Sequence, residues 1–416
     1  MGLVTRTLGE ICDEVGGIIR TGPFGSQLHQ SDYQDEGLPV IMPKDIVDGR
    51  VSVEGITRIG DKDIARLSQH RLQKGNIVYG RRGDIGRRAL ITEREAGWLC
   101  GTGCLRVSLG ESVLDPTFLY YYLGESKVIA WIYNQAIGAT MPNLNTSIIR
   151  RIPITYPALP TQRKIAGILS AYDRLIENNT RRIEILEEMA RSIYREWFVN
   201  FRFPGHEQVQ MVDSELGPIP EGWEVKNLSE ICEIIMGLSP KSEFYNENAE
   251  GLPLHQGVTN FGAWFPTDKV YTTTITRLAQ IGDILFSVRA PVGRINMANK
   301  TIVIGRGICA IRSKTGKQNF VLQQLKDKFY EDNLMGGGTI YPSVTKEEVQ
   351  KIKMLVPLPE KILAFESQSL PVFRQIEVFL LKNINLRQTR DLLLPRLISG
   401  EIDVENLEIN TSQIAT

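Results

Sequence analysis

The decapeptide YGRRGDIGRR at 79–88 sets Arg81, Arg82, Arg87 and Arg88 among three glycines. Guanidinium groups present planar, fixed sets of donors, and glycine lets a backbone come close to an anion. The chemistry on offer is therefore the holding of a phosphate or of a nucleobase edge. A nucleotide-cradling P-loop would need two glycines four residues apart, then Lys followed by Ser or Thr. Here Gly80 and Gly86 enclose five residues and Arg87 and Arg88 follow, so the lysine and the magnesium-binding hydroxyl are both missing. A solvated turn between two strands is the plain alternative.

The basic character is local. Residues 71–88 hold Arg71, Lys74, Arg81, Arg82, Arg87 and Arg88 against Asp84, yet the whole chain carries 48 basic and 48 acidic residues. A neutral chain is not a general polyanion binder, but one basic face suffices for nucleic acid. The length of 416 residues predicts two to four domains, and 42% hydrophobic with 23% charged residues is ordinary for a globular protein. No apolar run is long enough to span a bilayer, and MGLVTRTLGEIC does not read as a signal peptide. Cys12, Cys100, Cys104, Cys232 and Cys309 form no CxxC pair and the four histidines are scattered. That argues against zinc and disulfides and fits a reducing cytoplasm.

The chain is written twice. LGEIC at 8–12 recurs as LSEIC at 228–232, and EGLPVI at 36–41 as EGLPLH at 250–255. KGNIVYGRRGDIGRR at 74–88 aligns with IGDILFSVRAPVGRI at 281–295, which sets Arg82 against Arg289 and Arg87 against Arg294. GTGC at 101–104 matches GRGI at 305–308, and GATMPNL at 138–144 matches GTIYPSV at 338–344. RTGPFGSQ at 20–27 set against GLSPKSEF at 237–244 adds Arg20 and Lys241. Order is kept throughout and the period is near 200 residues, so the repeat is a duplicated domain and not a solenoid. Short β-branched runs such as NIVY and DILF predict strands, and 118–135 and 320–333 predict one helix per copy. Each globular part is α+β.

A long helix follows each copy. Ile165, Leu169, Tyr172, Ile176, Asn179, Ile183, Leu186, Ala190, Ile193 and Trp197 alternate at spacings of four and three, a coiled-coil seam with one polar member. Glu177 with Arg181 and Glu187 with Arg191 read as i,i+4 pairs on its flanks. In the second helix Phe373, Ile376, Leu380 and Ile384 continue a seam, while Pro371 and Pro395 predict an uninterrupted helix only over about 372–394. The resulting layout is a first domain at 1–157, a helix segment at 158–201, a linker at 202–222, a second domain at 223–357, a helix segment at 358–400 and a tail at 401–416.

These stretches resemble the specificity subunit of type I restriction-modification enzymes. The likeness is carried by GPIPEGWEVKNLSEIC at 217–232, SVRAPVGRI at 287–295, the helix with its flanks at 157–201, and LLLPRLISGEI at 392–402. The first copy departs from the pattern, since it opens on VTRTLGEIC without a PEGW-type lead and reads GRRGDIGR where the second reads VRAPVGR. The resemblance implies two target-recognition domains held apart by two antiparallel helices about a pseudo-two-fold axis. It implies no catalysis in this chain and no cofactor on it. Double-stranded DNA, two methyltransferase (modification) subunits and two restriction subunits are the implied partners, with S-adenosylmethionine and ATP on those partners and no membrane. The residues agree with a passive role. No Asn-Pro-Pro-aromatic motif and no GxGxxG loop occurs, and Glu224-Val-Lys226 lacks the upstream Pro-Asp of a nuclease. The alternative is a free-standing bipartite DNA-binding protein without methyltransferase partners.

The expected DNA contacts are Arg20, Arg81, Arg82, Arg87, Arg88, Asn143 and Asn145 in the first copy, and Lys241, Arg289, Arg294, Tyr341 and Ser343 in the second. Arginine is suited to guanine or phosphate and asparagine to adenine. An arginine shared by both copies can equally brace the fold through a carboxylate, and the 138–145 and 338–344 loops can equally be glycine-rich turns packed on the helix. The chain order of domain, helix, domain, helix makes the second helix return along the first. Asn179 and its repeat counterpart Asn383 are then expected to meet near the axis and fix the helix register. The alternative for Asn179 is a side chain turned to solvent.

Overall fold

The computed structural model describes residues 2–81, 86–135, 143–329 and 343–409. Two units make up the chain, residues 1–178 with 382–416, and residues 179–381. Each unit combines a sheet-rich domain with half of each of two long helices, Leu159–Phe198 (α1) and Pro359–Ile398 (α2).

In the first unit Ile18–Thr21 (β1), Ile77–Gly80 (β2), Arg88–Leu90 (β3) and Cys104–Ser108 (β4) form an antiparallel sheet in the order β1-β4-β2-β3. In the second, Cys232–Met236 (β5), Ile284–Ser287 (β6), Ile295–Met297 (β7) and Ile308–Ser313 (β8) repeat it as β5-β8-β6-β7. The run IVY is apolar at every position because the sheet is covered on both faces. Ile77 and Tyr79 enter the core shared with α1, while Val78 enters a second core with Ile41 and Ala89. Ile284 and Phe286 divide from Leu285 in the same way. Alternation of side chains across the strand produces this split. Each domain is closed by a short antiparallel pair, Val4–Thr7 with Pro153–Tyr156 and Glu224–Asn227 with Lys353–Val356, which delivers the chain directly into a long helix.

Within the first unit Ile165, Ala166 and Leu169 of α1 share a core with Leu397 and Ile398 of α2, and Asp173 pairs with Arg390, so the helices run antiparallel. Further along, the Asn383 amide donates to the Ile176 carbonyl at 3.3 Å. Within the second unit Ile183 and Ala190 pack with Phe373 and Ile376, and Tyr194 meets Phe365 at 6.1 Å between ring centroids. The predicted seam residues of α1 are buried or half-buried, and Asn179 is buried with them.

Two expectations are corrected. Neither proline interrupts α2, which runs continuously from 359 to 398. Pro371 lies on the exposed face, as does Ser367, whose carbonyl loses its helical donor and is solvated. Buried Phe365, Ser369, Phe373 and Ile376 hold the axis on either side. The expected single helix at 118–135 is two, Pro116–Tyr122 and Ser126–Gln135, divided around Gly124. A Cβ on Gly124 would stand 1.5 Å from the Arg88 guanidinium, so that side chain fills the place a continuous helix would need. The linker at 202–222 has structure of its own. It pairs Met211–Val212 with Ile219–Pro220 and buries Phe203 and Ile219 against Trp223 in the second unit. Glu177 and Glu187 of the helix flank reach the domains, Glu177 to Arg50 at 2.7 Å and Glu187 to the Trp264 indole N–H at 2.6 Å.

Burial separates the two kinds of helix position. Ile376 is fully buried in the core, so Ile376→Ala is expected to destabilise the protein by about 2–5 kcal/mol. Leu392 is 71% exposed, so Leu392→Ala should change stability by less than about 0.5 kcal/mol. Equilibrium urea unfolding of the full chain checks both, and equal losses would contradict the packing described.

Candidate nucleic-acid interface

Three segments converge at one end of the central sheet in each unit. In the first, β2 and β3 pair Tyr79 with Arg88, and the Gly80 N–H donates to the Arg87 carbonyl at 3.0 Å, closing the arginine loop. The Arg81 N–H then donates to the Gly103 carbonyl at 2.8 Å, and the Leu144 N–H donates to the Arg81 carbonyl at 2.9 Å. The second unit repeats the same knot. Ser287 N–H donates to Arg294 O at 2.9 Å, Val288 N–H to Gly307 O at 2.9 Å, and Val344 N–H to Val288 O at 2.9 Å. The hydrogen bonds therefore reproduce the alignment of the 74–88, 101–104 and 138–144 blocks with their second copies.

One block is shifted. Gly22 N–H donates to Cys104 O at 3.0 Å and Gly237 N–H to Ile308 O at 3.0 Å, so Gly22 corresponds to Gly237. A Cβ at either would lie 2.0 or 2.1 Å from the carbonyl oxygen of Gly101 or Gly305, which only glycine permits. The alignment of 20–27 with 237–244 is two residues out of step, and the counterpart of Arg20 is Ile235.

The candidate residues fall into distinct groups. Arg87, Asn143 and Arg20 are exposed in the first unit, with Arg20 placing a guanidinium nitrogen 3.4 Å from the Gln69 side-chain oxygen. In the second, Arg289 and Ser343 are exposed and face each other across an isolated bridge, and Lys241 is exposed beside Glu243 at 3.8 Å. Arg82 and Tyr341 lie outside the described residues. Arg81 and Arg88 are half-buried and engage the fold. The Arg81 guanidinium Nε donates to the Leu144 carbonyl at 3.0 Å. Arg88 donates to the Tyr120 carbonyl at 2.9 Å and lies 4.9 Å over the Tyr120 ring. Asn145 caps the helix Thr146–Arg150, accepting from Ile148 N–H at 2.9 Å, as Thr345 caps Lys346–Gln350. The capping oxygen satisfies a helix-end donor with one of its lone pairs. Arg294 is half-buried and lines a groove of about 390 Å³ with Glu184, Glu187, Glu188 and Lys326.

The cysteines offer no nucleophile, because all five are buried and burial pushes Cys100, Cys232 and Cys309 up to about 12. Among the described residues no cluster of His, Cys, Asp or Glu is arranged to hold a metal, and no helix is long and apolar enough to cross a membrane. Glu224 and Lys226 are paired with one another. His255, buried, meets Asp268 at 3.0 Å, and Lys300 meets the other Asp268 oxygen at 2.6 Å. Burial lowers the His255 pKa, against the pull of Asp268.

Sequence reasoning missed the residues that seat each domain on the helices. Asp173 of α1 accepts from both the Tyr121 hydroxyl and Arg390. Glu187 accepts from Trp264 and, at 3.4 Å, from Lys326, whose ammonium stands 3.9 Å above the Trp264 ring. The signal was an acid on the inner flank of each half-seam, of which only Glu187 was singled out, as an i,i+4 partner of Arg191.

The sequence profile for the type I restriction modification DNA specificity domain matches residues 2–188 and 220–368. The chain is 28% identical over 382 residues to the putative type I restriction enzyme MjaX specificity subunit of Methanocaldococcus jannaschii, covering 89% of this chain and 88% of that protein. The MjaIX specificity subunit of the same organism is 27% identical over 391 residues, covering 90% of this chain and 89% of its own length. Among solved structures, the S subunit of the type I restriction-modification system from M. genitalium shares the fold at a TM-score of 0.55 and 17% identity, covering 95% and 96% of the two chains. Both copies of the repeat fall within the matched profile, and the chain therefore belongs to the type I restriction-modification DNA specificity family.

Proposed function

We propose that each unit reads one half of a bipartite double-stranded DNA target, that the helices set the distance between the halves, and that the chain supplies no catalysis. The observation that carries this reading is the duplicated knot of loops, which presents exposed side chains (Arg87 and Asn143, Arg289 and Ser343) from the same place on two copies of one sheet. Loops fixed by backbone hydrogen bonds and varied in side chain suit two readers of unrelated sequence. On this reading the protein works in the cytoplasm, and two methyltransferase subunits and two restriction subunits bring S-adenosylmethionine and ATP.

Docking of those subunits on the helices accounts for the apolar side chains that the seam leaves outside. Leu363, Leu370 and Leu381 are exposed on one stripe of α2 with spacings of seven and eleven, and Ile185 and Met189 are exposed on α1. Apolar groups repeated at helical spacing on an outer face are the mark of a partner helix. Asn179 and Asn383, both buried, we assign to fixing the register of the helix pair, since a buried amide is left unpaired by a slipped alignment.

Two outcomes test the reading. Arg289→Ala should relax one position of the target at a cost of roughly 1–3 kcal/mol if it reads a base, or weaken all sequences alike if it grips phosphate. Asn145→Ala should instead lower stability by about 1 kcal/mol as a lost cap, leaving sequence preference intact. Binding to a randomised duplex library measures both, and an Arg289 variant indistinguishable from wild type would remove this loop from the interface. The second outcome concerns spacing. Four residues inserted in both helices add about 6 Å and about 40° of rotation, against roughly 3.4 Å and 35° per base pair. The unspecified spacer should lengthen by one or two base pairs, and an unchanged spacer would exclude the helices as a ruler.

A further inference from the structure

Three arginines of the first unit occupy positions that the second unit fills with apolar residues. Arg20 on β1 stands directly opposite Arg106 on β4, and Arg71 bridges Leu99 at the edge of the neighbouring sheet. Arg106 is buried, and it donates to the carbonyls of Arg71 and, at 3.4 Å, Gln69. Arg20 and Arg71 are exposed, and the exposed Gln69 side chain lies in hydrogen-bond reach of Arg20. His70 is buried beneath and its Nε2 has no partner.

Like charges directly opposite on a sheet are destabilising, and a buried guanidinium is ordinarily matched by a carboxylate. Among the described residues none of the three makes an ion pair with an acid. Burial, and then Arg20, lower the Arg106 pKa, and burial, Arg20 and Arg106 all lower that of His70. The cost is not imposed by the fold. With Gly22 equivalent to Gly237 and Cys104 to Ile308, Arg20 and Arg106 correspond to Ile235 and Ala310, which are also directly opposite. Leu99 and Val303 each pair in parallel with the central strand of the second sheet, so Arg71 corresponds to Leu278. Arg277 stands at the place of His70, so the second unit retains one cation where the first has three arginines.

We propose that Arg20 and Arg71, backed by the buried charge of Arg106, form a patch that binds backbone phosphates of duplex DNA, a site the second unit lacks at the same place. The proposal rests on the DNA-reading function given above and adds a sequence-independent grip confined to the first unit. The anion completes what the fold leaves open: it supplies the negative charge that no carboxylate among the described residues provides, and two exposed guanidinium groups give it paired donors.

The test uses the full chain and a random-sequence duplex, because a phosphate contact does not depend on sequence. Arg20→Ile with Arg71→Leu installs the residues the second unit already carries, and thermal melting confirms that the fold is kept. The slope of log Kd against log salt should fall by about two, at roughly 0.9 per phosphate released. The half-site preference of a target-containing duplex should not change. An unchanged slope in a folded variant overturns the patch while leaving DNA reading intact. A wild-type chain that binds no duplex overturns both.

Discussion

Burial of the apolar seam between α1 and α2 is the constraint on which the other features depend. In the first unit the core that holds Leu8, Ile77 and Phe118 of the domain also holds Ile165 and Leu169 of one helix and Leu397 of the other. In the second, Ile284 and Phe286 share a core with Ile183 and Phe373. The helices are thus part of each domain's interior and not a stalk beneath it. A fully buried Leu or Ile contributes roughly 1.5–3 kcal/mol, so several such residues outweigh the exposed charges around them. That margin also explains why α2 accepts two prolines. Each costs about 3 kcal/mol in a helix interior, and the buried contacts on both sides offset it.

Polar contacts then orient what the seam holds. Asp173 and Glu187 each take donors from a domain, Asp173 from Tyr121 and Glu187 from Trp264 and Lys326. The two anchors differ in chemistry although the domains share a fold, which is what duplication followed by independent change produces. The same divergence separates the two sheets at Arg20 and Arg106 against Ile235 and Ala310. A charge that one copy carries and the other omits is not required by the fold the copies share.

Much of this was legible in the sequence, and the failures have physical causes. The duplication, the α+β domains and the seam were readable because glycine turns and apolar spacing are local and repeated. The surroundings of Arg88 and Arg294 were not legible, since the residues that engage or flank them, Tyr120 for Arg88 and Glu184 and Lys326 for Arg294, are distant in sequence. Asn145, expected as a DNA contact, caps a helix, a role identifiable from the short apolar TSII run after it. The register of the 20–27 block failed by two residues because its anchor is one glycine forced by the Gly101 carbonyl, and no flanking similarity marks it. Proline 371 misled because its cost depends on which face it occupies, and the incomplete seam around it left that face undefined.

The claim at the centre of this account is that each unit reads its own half of the target. The most direct measurement replaces residues 223–357 with the corresponding domain of a relative of different specificity. Base-resolution mapping of methylated bases, with the proposed methyltransferase partners present, then gives the target of the chimera. The account predicts one half-site changed, the other retained, and the spacer between them kept. A chimera that alters both halves, or neither, would contradict it.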